Sequence, residues 1–208
     1  RGLGDVYKRQ GEIGWDDEIS GDDTAFIDKN WVEEKEVKEP SLWKPEKELI
    51  KYLETLFDST DNVGYVTQSW KNEKGEYSPS AGSCGRTAGE LIEGLSKCNG
   101  DIGAVLGDYN PDVGAWIRFN PLDGKGVKNE NVTDFRYALV ECDDEKMDIG
   151  KQNAMIRELE LPVACLVHSA NKSLHAIVHV DAANKEEYRK RVDYLYSCLL
   201  YTSPSPRD

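Results

Sequence analysis

Two carboxylates lie at the end of an apolar run in the second half of the chain. The run Phe135–Glu141 reads FRYALVE, and Asp143 follows two positions after its last residue. Because alternate residues of a strand point to the same face, Glu141 and Asp143 would lie side by side at the strand's end. Carboxylate oxygens are the ligands that Mg²⁺ or Mn²⁺ prefers, and paired ions assist phosphoryl or nucleotidyl transfer. A solvated turn is the alternative, because residues 143–146 also have an ordinary loop composition.

A second polar segment separates two further apolar runs. It reads Ser169-Ala-Asn-Lys172-Ser173-Leu-His175. The backbone N–H groups of a short polar turn can bind phosphate together with a lysine, and His175 can reach a triphosphate oxygen. A plain hairpin loop with a surface histidine is the alternative.

Together the two segments resemble the archaeo-eukaryotic primase superfamily, in particular the primase–polymerase domains of phage and plasmid replication proteins. The first motif of that family is an apolar strand ending in acid-x-acid, matched by Leu139-Val-Glu-Cys-Asp143. Its second motif is a serine-rich turn that closes with a small-x-His element, matched by Ser169 to His175. The segment Gly114–Leu122 is also similar to these phage proteins.

The resemblance implies a nucleotidyltransferase that joins nucleoside triphosphates on a single-stranded DNA template during replication of a phage or another mobile element. Glu141 and Asp143 would be catalytic and would hold two Mg²⁺ or Mn²⁺ ions. The family's first acid is often Asp, so Glu141 is a small departure from its pattern. A third metal-binding acid is expected after Ser197, and a helicase or ATPase domain would follow it.

The same resemblance assigns the incoming nucleotide to the second motif. His175 would be catalytic and would contact the phosphates together with Ser169, Lys172 and Ser173. Arg118 is a further candidate for contact with nucleotide or template, with a surface arginine at a strand edge as its alternative.

Hydrophobic periodicity and turn residues predict the elements that position these motifs. Helices are predicted at Trp43–Phe57, Ala88–Cys98, Ile149–Leu159 and Ala183–Tyr196, with Ser41, Thr87 and Asp181 as caps of the first, second and fourth. Strands are predicted at Val63–Trp70, Ile102–Leu106, Ala115–Phe119, Phe135–Glu141, Val163–Val167 and Leu174–Val180, with a further short extended run after the turn Asn72–Gly75.

The last five predicted elements run strand, helix, strand, strand, helix, which is a split βαβ unit without its final strand. The predicted fold class is therefore α+β. An RRM-like (ferredoxin-like) catalytic core would occupy residues 135–197, and an N-terminal α/β extension would occupy residues 41–134. Residues 11–40 are predicted to form an acidic, mobile extension.

Both ends of the chain look like translated sequencing adapter. Residues 1–10 (RGLGDVYKRQ) and 198–208 (CLLYTSPSPRD) correspond to opposite strands of one adapter DNA. Such segments are excluded from fold reasoning. We therefore expect the natural sequence to cover residues 11–197, and we expect this stretch to be inactive in polymerisation because it stops before the last strand and the third acid.

The composition limits the remaining possibilities. The chain has 208 residues and a net charge of −13, and residues 11–61 alone carry 16 acidic and 6 basic residues. This excess of acidic residues argues against binding of nucleic acid through overall charge alone. No apolar run approaches the ~18 residues of a membrane span, and no export signal is recognisable. A cytoplasmic location without membrane contact is predicted, with the cysteines as reduced thiols.

Two other functions remain open at this stage. A non-catalytic RRM-like module would bind single strands through aromatic side chains on adjacent strands, and Val163–Val167 and Leu174–Val180 contain none. A replication-initiator nuclease would need two closely spaced histidines as metal ligands, whereas His175 and His179 are separated by three residues.

Overall fold

The computed structural model describes residues 42–73, 75, 77–141, 147–169 and 173–202, with side chains described up to residue 197. Ser41, Asp143 and Lys172, which the sequence singles out, lie outside the described residues. The chain divides into two compact units, the N-terminal unit within Glu39–Tyr137 and the C-terminal unit within Ala138–Asp208. The division falls inside a strand, close to the predicted boundary between residues 134 and 135.

The fold is mixed α+β, as predicted. Its helices and strands, in chain order, are α1 Pro45–Leu56, β1 Tyr65–Val66, β2 Ser69–Lys71, β3 Tyr77–Pro79, α2 Ala88–Lys97, α3 Gly103–Leu106, β4 Trp116–Ile117, β5 Phe135–Glu141, α4 Ile149–Glu158, β6 Val163–His168, β7 Leu174–Ala182 and α5 Lys185–Thr202. Within this described part, no helix combines the length and the apolar character that crossing a bilayer requires.

In the N-terminal unit, α1 packs against α2. Leu53, Leu56, Leu91 and Leu95 are buried in its core. The helix α1 begins with Pro45 in its first turn, where proline loses no hydrogen bond because the first N–H groups of a helix have no helical acceptor. Two small sheets complete the unit, and each has two antiparallel strands, β1 with β4 and β2 with β3.

The predicted strand at Ile102–Leu106 is wrong, because Gly103–Leu106 form the short helix α3. A short apolar run fits a strand or a helix equally well, so the flanking residues decide. The side chain of Asp101 accepts a hydrogen bond from the backbone N–H of Ala104, which supports the first turn. Gly107, with a φ of 99°, then ends the helix in a conformation that other residues rarely adopt.

The predicted strand at Val63–Trp70 is two strands with different partners. Tyr65 and Val66 pair with β4, whereas the residues from Ser69 onward pair with β3. Thr67 and Gln68 separate the two strands. The apolar pattern therefore located the extended chain but could not show that its pairing changes partner halfway.

The cap of α2 is confirmed, and it yields a stability prediction. The side chain of Thr87 accepts from the backbone N–H of Glu90, and the Glu90 carboxylate accepts from the Thr87 N–H. Replacing Thr87 with alanine should lower the free energy of unfolding by about 1 kcal/mol, because the backbone N–H of Glu90 loses its acceptor. Urea unfolding followed by tryptophan fluorescence measures the change.

Thr55→Ala is the matched control for that measurement. Thr55 is an exposed threonine inside α1 whose hydroxyl donates to the backbone oxygen of Lys51 in the preceding turn. Alanine has the higher helix propensity, so this variant should unfold at or above the urea concentration of the parent. Equal losses in the two variants would contradict a specific capping role for Thr87.

In the C-terminal unit, three strands form one sheet in the order β5-β7-β6. The strands β6 and β7 are antiparallel, and their register shifts between Val163 and Cys165. The helices α4 and α5 both pack against the central strand β7. Leu174, Ala176 and Val178 of β7 are buried, which explains why this strand alternates so regularly in sequence.

Asp181 does not cap the last helix, so that prediction is wrong. The helix α5 begins at Lys185, and the side chain of Asn184 accepts from the backbone N–H of Glu187. Asp181 lies within β7 with a φ of 41°, and its carboxylate is 3.3 Å from Nδ1 of His179. The longer strand thus moves the capping position three residues along the chain.

Candidate functional site

Glu141 and His175 meet at one end of the sheet of the C-terminal unit. Glu141 is the last residue of β5, and His175 is the second residue of the neighbouring strand β7. Oε2 of Glu141 lies 3.1 Å from Nε2 of His175, and the two side chains are only 14% and 15% exposed. Shielding from water strengthens the interaction between such groups. The acidic and the histidine motifs therefore share one site.

Two serine hydroxyls extend this pair along the β6–β7 turn. Oγ of Ser173 lies 3.3 Å from Nε2 of His175, and Oγ of Ser169 lies 3.0 Å from Oγ of Ser173. The backbone N–H of Ser169 also donates to the carbonyl of Ser173, which closes the turn. We refer to the side chains of Ser169, Ser173, His175 and Glu141 as the site cluster.

The geometry of the imidazole limits what the site cluster can do chemically. One nitrogen, Nε2 of His175, faces both the Glu141 carboxylate and the Ser173 hydroxyl. A proton on Nε2 is donated to the carboxylate, so Ser173 cannot pass its own proton to that nitrogen. A nucleophilic serine triad needs the hydroxyl and the carboxylate on opposite ring nitrogens. The site cluster therefore does not have the arrangement that acyl transfer by serine requires.

Cys165, on the neighbouring strand β6, is also a poor nucleophile. Burial raises the pKa of its thiol above the ordinary value. Because the thiolate is the reactive form, this thiol is less reactive at neutral pH than an exposed one. Cysteine chemistry at Cys165 is thus disfavoured.

The carboxylate of Glu141 has the donor chemistry that a divalent cation needs. It is an oxygen donor, mostly shielded from water, at the end of a rigid strand. Among the residues that the structure describes, no group of three or more His, Cys, Asp or Glu side chains could hold a metal ion. Asp143, the second ligand that the sequence predicts, lies outside the described residues.

Arg118 belongs to the N-terminal unit. Its guanidinium donates to the side-chain oxygen of Asn129 at 3.1 Å, and its backbone N–H donates to the carbonyl of Gly64. These bonds give Arg118 a local structural role in the turn-rich part of that unit.

Gln152, in α4, supports the site cluster and was missed in the sequence. Its side chain is only 1% exposed. Nε2 of Gln152 donates to the carbonyl of Met147, and its Oε1 accepts from the backbone N–H of Leu174, both at 2.9 Å. No local signal marks it, because Gln152 stands between the polar residues Lys151 and Asn153.

Comparison of the chain with protein-family models, with curated proteins and with solved structures finds no match. Function therefore has to be inferred from the site cluster and from the motifs that contain it.

Proposed function

We propose that this chain carries the metal- and nucleotide-binding core of a primase–polymerase, an enzyme that joins nucleoside triphosphates on a single-stranded DNA template. The observation that carries the proposal is the 3.1 Å contact between Glu141 and His175. It unites the last residue of an acid-x-acid strand with the histidine of a serine-rich turn. Phosphoryl-transfer sites need this combination of a metal-binding carboxylate and donors for phosphate oxygens.

The arrangement of the C-terminal unit supports the proposal. Its elements follow the order β5, α4, β6, β7, α5, and β7 lies between β5 and β6 in the sheet. This is the order of the first five elements of a split βαβ (ferredoxin-like, RRM-like) unit. In such a unit, the end of the first strand and the start of the third are neighbours, as Glu141 and His175 are.

In the proposed reaction a 3′-hydroxyl attacks the α-phosphorus of a nucleoside triphosphate, and pyrophosphate leaves. Glu141 and Asp143 would hold Mg²⁺ or Mn²⁺, which neutralises charge on the phosphates and activates the attacking oxygen. With the Glu141 carboxylate bound to the cation, His175 would donate its N–H to a phosphate oxygen instead, and Ser169, Ser173 and Lys172 would add further donors. A helicase or ATPase domain is the partner that such a core would serve in replication.

Nucleotide titration of the 208-residue chain tests the proposal. In isothermal titration calorimetry with Mn²⁺, a deoxynucleoside triphosphate should bind at one site and should fail to bind when Mn²⁺ is removed by chelation. His175→Ala and Glu141→Gln should each weaken the nucleotide affinity by about tenfold or more, because each removes a charge-assisted contact to phosphate or metal.

His179→Gln is the matched control. His179 lies on the same strand as His175 but is exposed and faces Asp181, so its replacement should leave the nucleotide affinity unchanged. Absence of Mn²⁺-dependent nucleotide binding in the parent chain would refute the proposal. Metal-independent binding of single-stranded DNA without nucleotide binding would instead favour the non-catalytic RRM-like module.

A further inference from the structure

Burying the side-chain amide of Gln152 costs free energy unless its polar atoms form hydrogen bonds. A buried side-chain amide must have partners for its donors and its acceptor, or it destabilises the fold. An apolar residue of similar volume would fill the same space without that requirement. Gln152 is nevertheless the least exposed of the buried polar residues in the part of the chain that the structure describes.

The partners of Gln152 are backbone groups of Met147, just before α4, and of Leu174, just before His175. Met147 is the first described residue after the acidic segment that follows Glu141, and its carbonyl accepts from Nε2 of Gln152. Leu174 immediately precedes His175, and its N–H donates to Oε1 of the same amide. A single planar amide therefore joins Met147, just before α4, to Leu174 at the start of β7.

The pairing between β6 and β7 does not include Met147, so it does not fix Met147 relative to Leu174. Leu174 pairs with His168 at the end of that ladder, where the turn begins. The helix α4, which carries Gln152, packs against β7 and is capped at its start by Asp148, one residue after Met147. The side chain of Gln152 thus forms hydrogen bonds with both backbone groups from the start of α4.

We infer that Gln152 is a positioning residue that fixes Leu174, and through it His175, relative to Met147 at the start of α4. This role deepens the proposed function and rests on it for its effect on nucleotide binding. Its structural part, the placement of Leu174 and His175, is independent of what the site binds.

Gln152→Met tests the inference, because methionine keeps the length of the side chain and removes both hydrogen bonds. In the ligand-free chain, the Leu174 amide should exchange with solvent about tenfold faster or more, and the imidazole ¹⁵N signals of His175 should shift at one fixed pH. The Mn²⁺-dependent nucleotide affinity should fall by about tenfold.

Asn153→Ala is the matched control for loss of stability. Asn153 is the next residue of α4, is also buried, and accepts from Arg157 within the same helix. This variant should leave the His175 signals, the Leu174 exchange relative to global unfolding and the nucleotide affinity within about twofold of the parent. Gln152→Asn, which keeps an amide but is one methylene shorter, serves if the methionine variant does not fold.

Two outcomes would overturn the inference. One is an unchanged His175 spectrum and unchanged Leu174 exchange in the Gln152 variants. The other is a loss of nucleotide affinity that is equal in the Gln152 and Asn153 variants, which would assign Gln152 to general stability. If the parent chain binds no nucleotide, the proposed function fails, and the two spectroscopic measurements still decide the positioning role.

Discussion

Replacing Arg136 with methionine should lower the free energy of unfolding of the N-terminal unit by about 3 kcal/mol. The guanidinium, 21% exposed, contacts Asp61 at 2.7 Å and Asp134 at 2.6 Å, and it reaches the carbonyl of Leu56. The side chain of Asp61 is only 17% exposed. Removing Arg136 would leave that carboxylate shielded from water without its cation, which costs more than the ion pair itself contributes.

The charge of Arg136 is secure at any pH of interest. Burial alone would lower the pKa of its guanidinium, but the hydrogen bonds and charges of Asp61 and Asp134 outweigh burial and raise the pKa further. The expected loss of stability in Arg136→Met therefore comes from its unpaired partners and does not depend on protonation of the arginine.

Urea unfolding followed by tryptophan fluorescence can isolate this effect. Trp43, Trp70 and Trp116 all lie in the N-terminal unit, so their fluorescence reports on the unfolding of that unit. Asp58→Asn is the matched control, because Asp58 contacts the same guanidinium at 3.3 Å but is 80% exposed. Its loss should cost less than about 0.5 kcal/mol. Similar costs for Arg136→Met and Asp58→Asn would contradict the importance of the shielded pair.

Replacing Asn120 with leucine should have an effect of similar size, about 3 kcal/mol. The buried amide of Asn120 donates to the carbonyl of Tyr137 at 2.8 Å. Its oxygen accepts from the backbone N–H groups of Tyr137 and Arg136 at 2.9 and 3.1 Å. Leucine has nearly the same size but would leave three backbone groups of β5 without these partners. The same fluorescence-detected unfolding measures the loss.

Asn110→Ala is the control, because it removes an asparagine side chain that forms a hydrogen bond in an exposed turn. The side chain of Asn110 accepts from the backbone N–H of Asp112 in an exposed turn, where water can replace it. Its replacement should cost about 1 kcal/mol or less. An Asn120→Leu variant as stable as Asn110→Ala would show that β5 does not need the side chain as a partner.

Asn120 also shows why a local pattern misses some structural residues. In the sequence it is a polar residue before a proline, which is typical of a turn. In the structure its amide forms hydrogen bonds with the N–H and the carbonyl of Tyr137 in β5, as a neighbouring strand would. Tyr196 acts similarly from α5, where its hydroxyl donates to the carbonyl of Leu139. Both roles depend on where distant parts of the chain meet.

The elements that could be predicted are those whose signals are local. The run Phe135–Glu141 is a strand with the predicted bounds, and its four central residues, Tyr137 to Val140, are buried. The helix after Thr87 begins where its capping residue places it. The strand predicted at Ile102–Leu106 was wrong, and the one predicted at Val63–Trp70 is extended but divided into two strands. A short apolar run does not specify its own conformation or its pairing partner.

The residues of the candidate site were also predictable only in part. The types and spacing of residues singled out Glu141, Ser169, Ser173 and His175 as polar groups next to buried strands. The sequence pointed less strongly to Arg118, which the structure places in the N-terminal unit with Asn129 as its partner. It did not point to Gln152, because nothing local distinguishes a buried glutamine from an exposed one on a helix.

The sequence by itself determined the α+β class, most of the helices and strands, and the two motifs that carry the proposed chemistry. These depend on hydrophobic period, caps and turn residues, which act over a few positions. Only the tertiary structure decided that Glu141 and His175 lie 3.1 Å apart and that Gln152 forms hydrogen bonds with Met147 and Leu174. The strand order β5-β7-β6 brings those residues together, and that order results from packing between elements far apart in the chain.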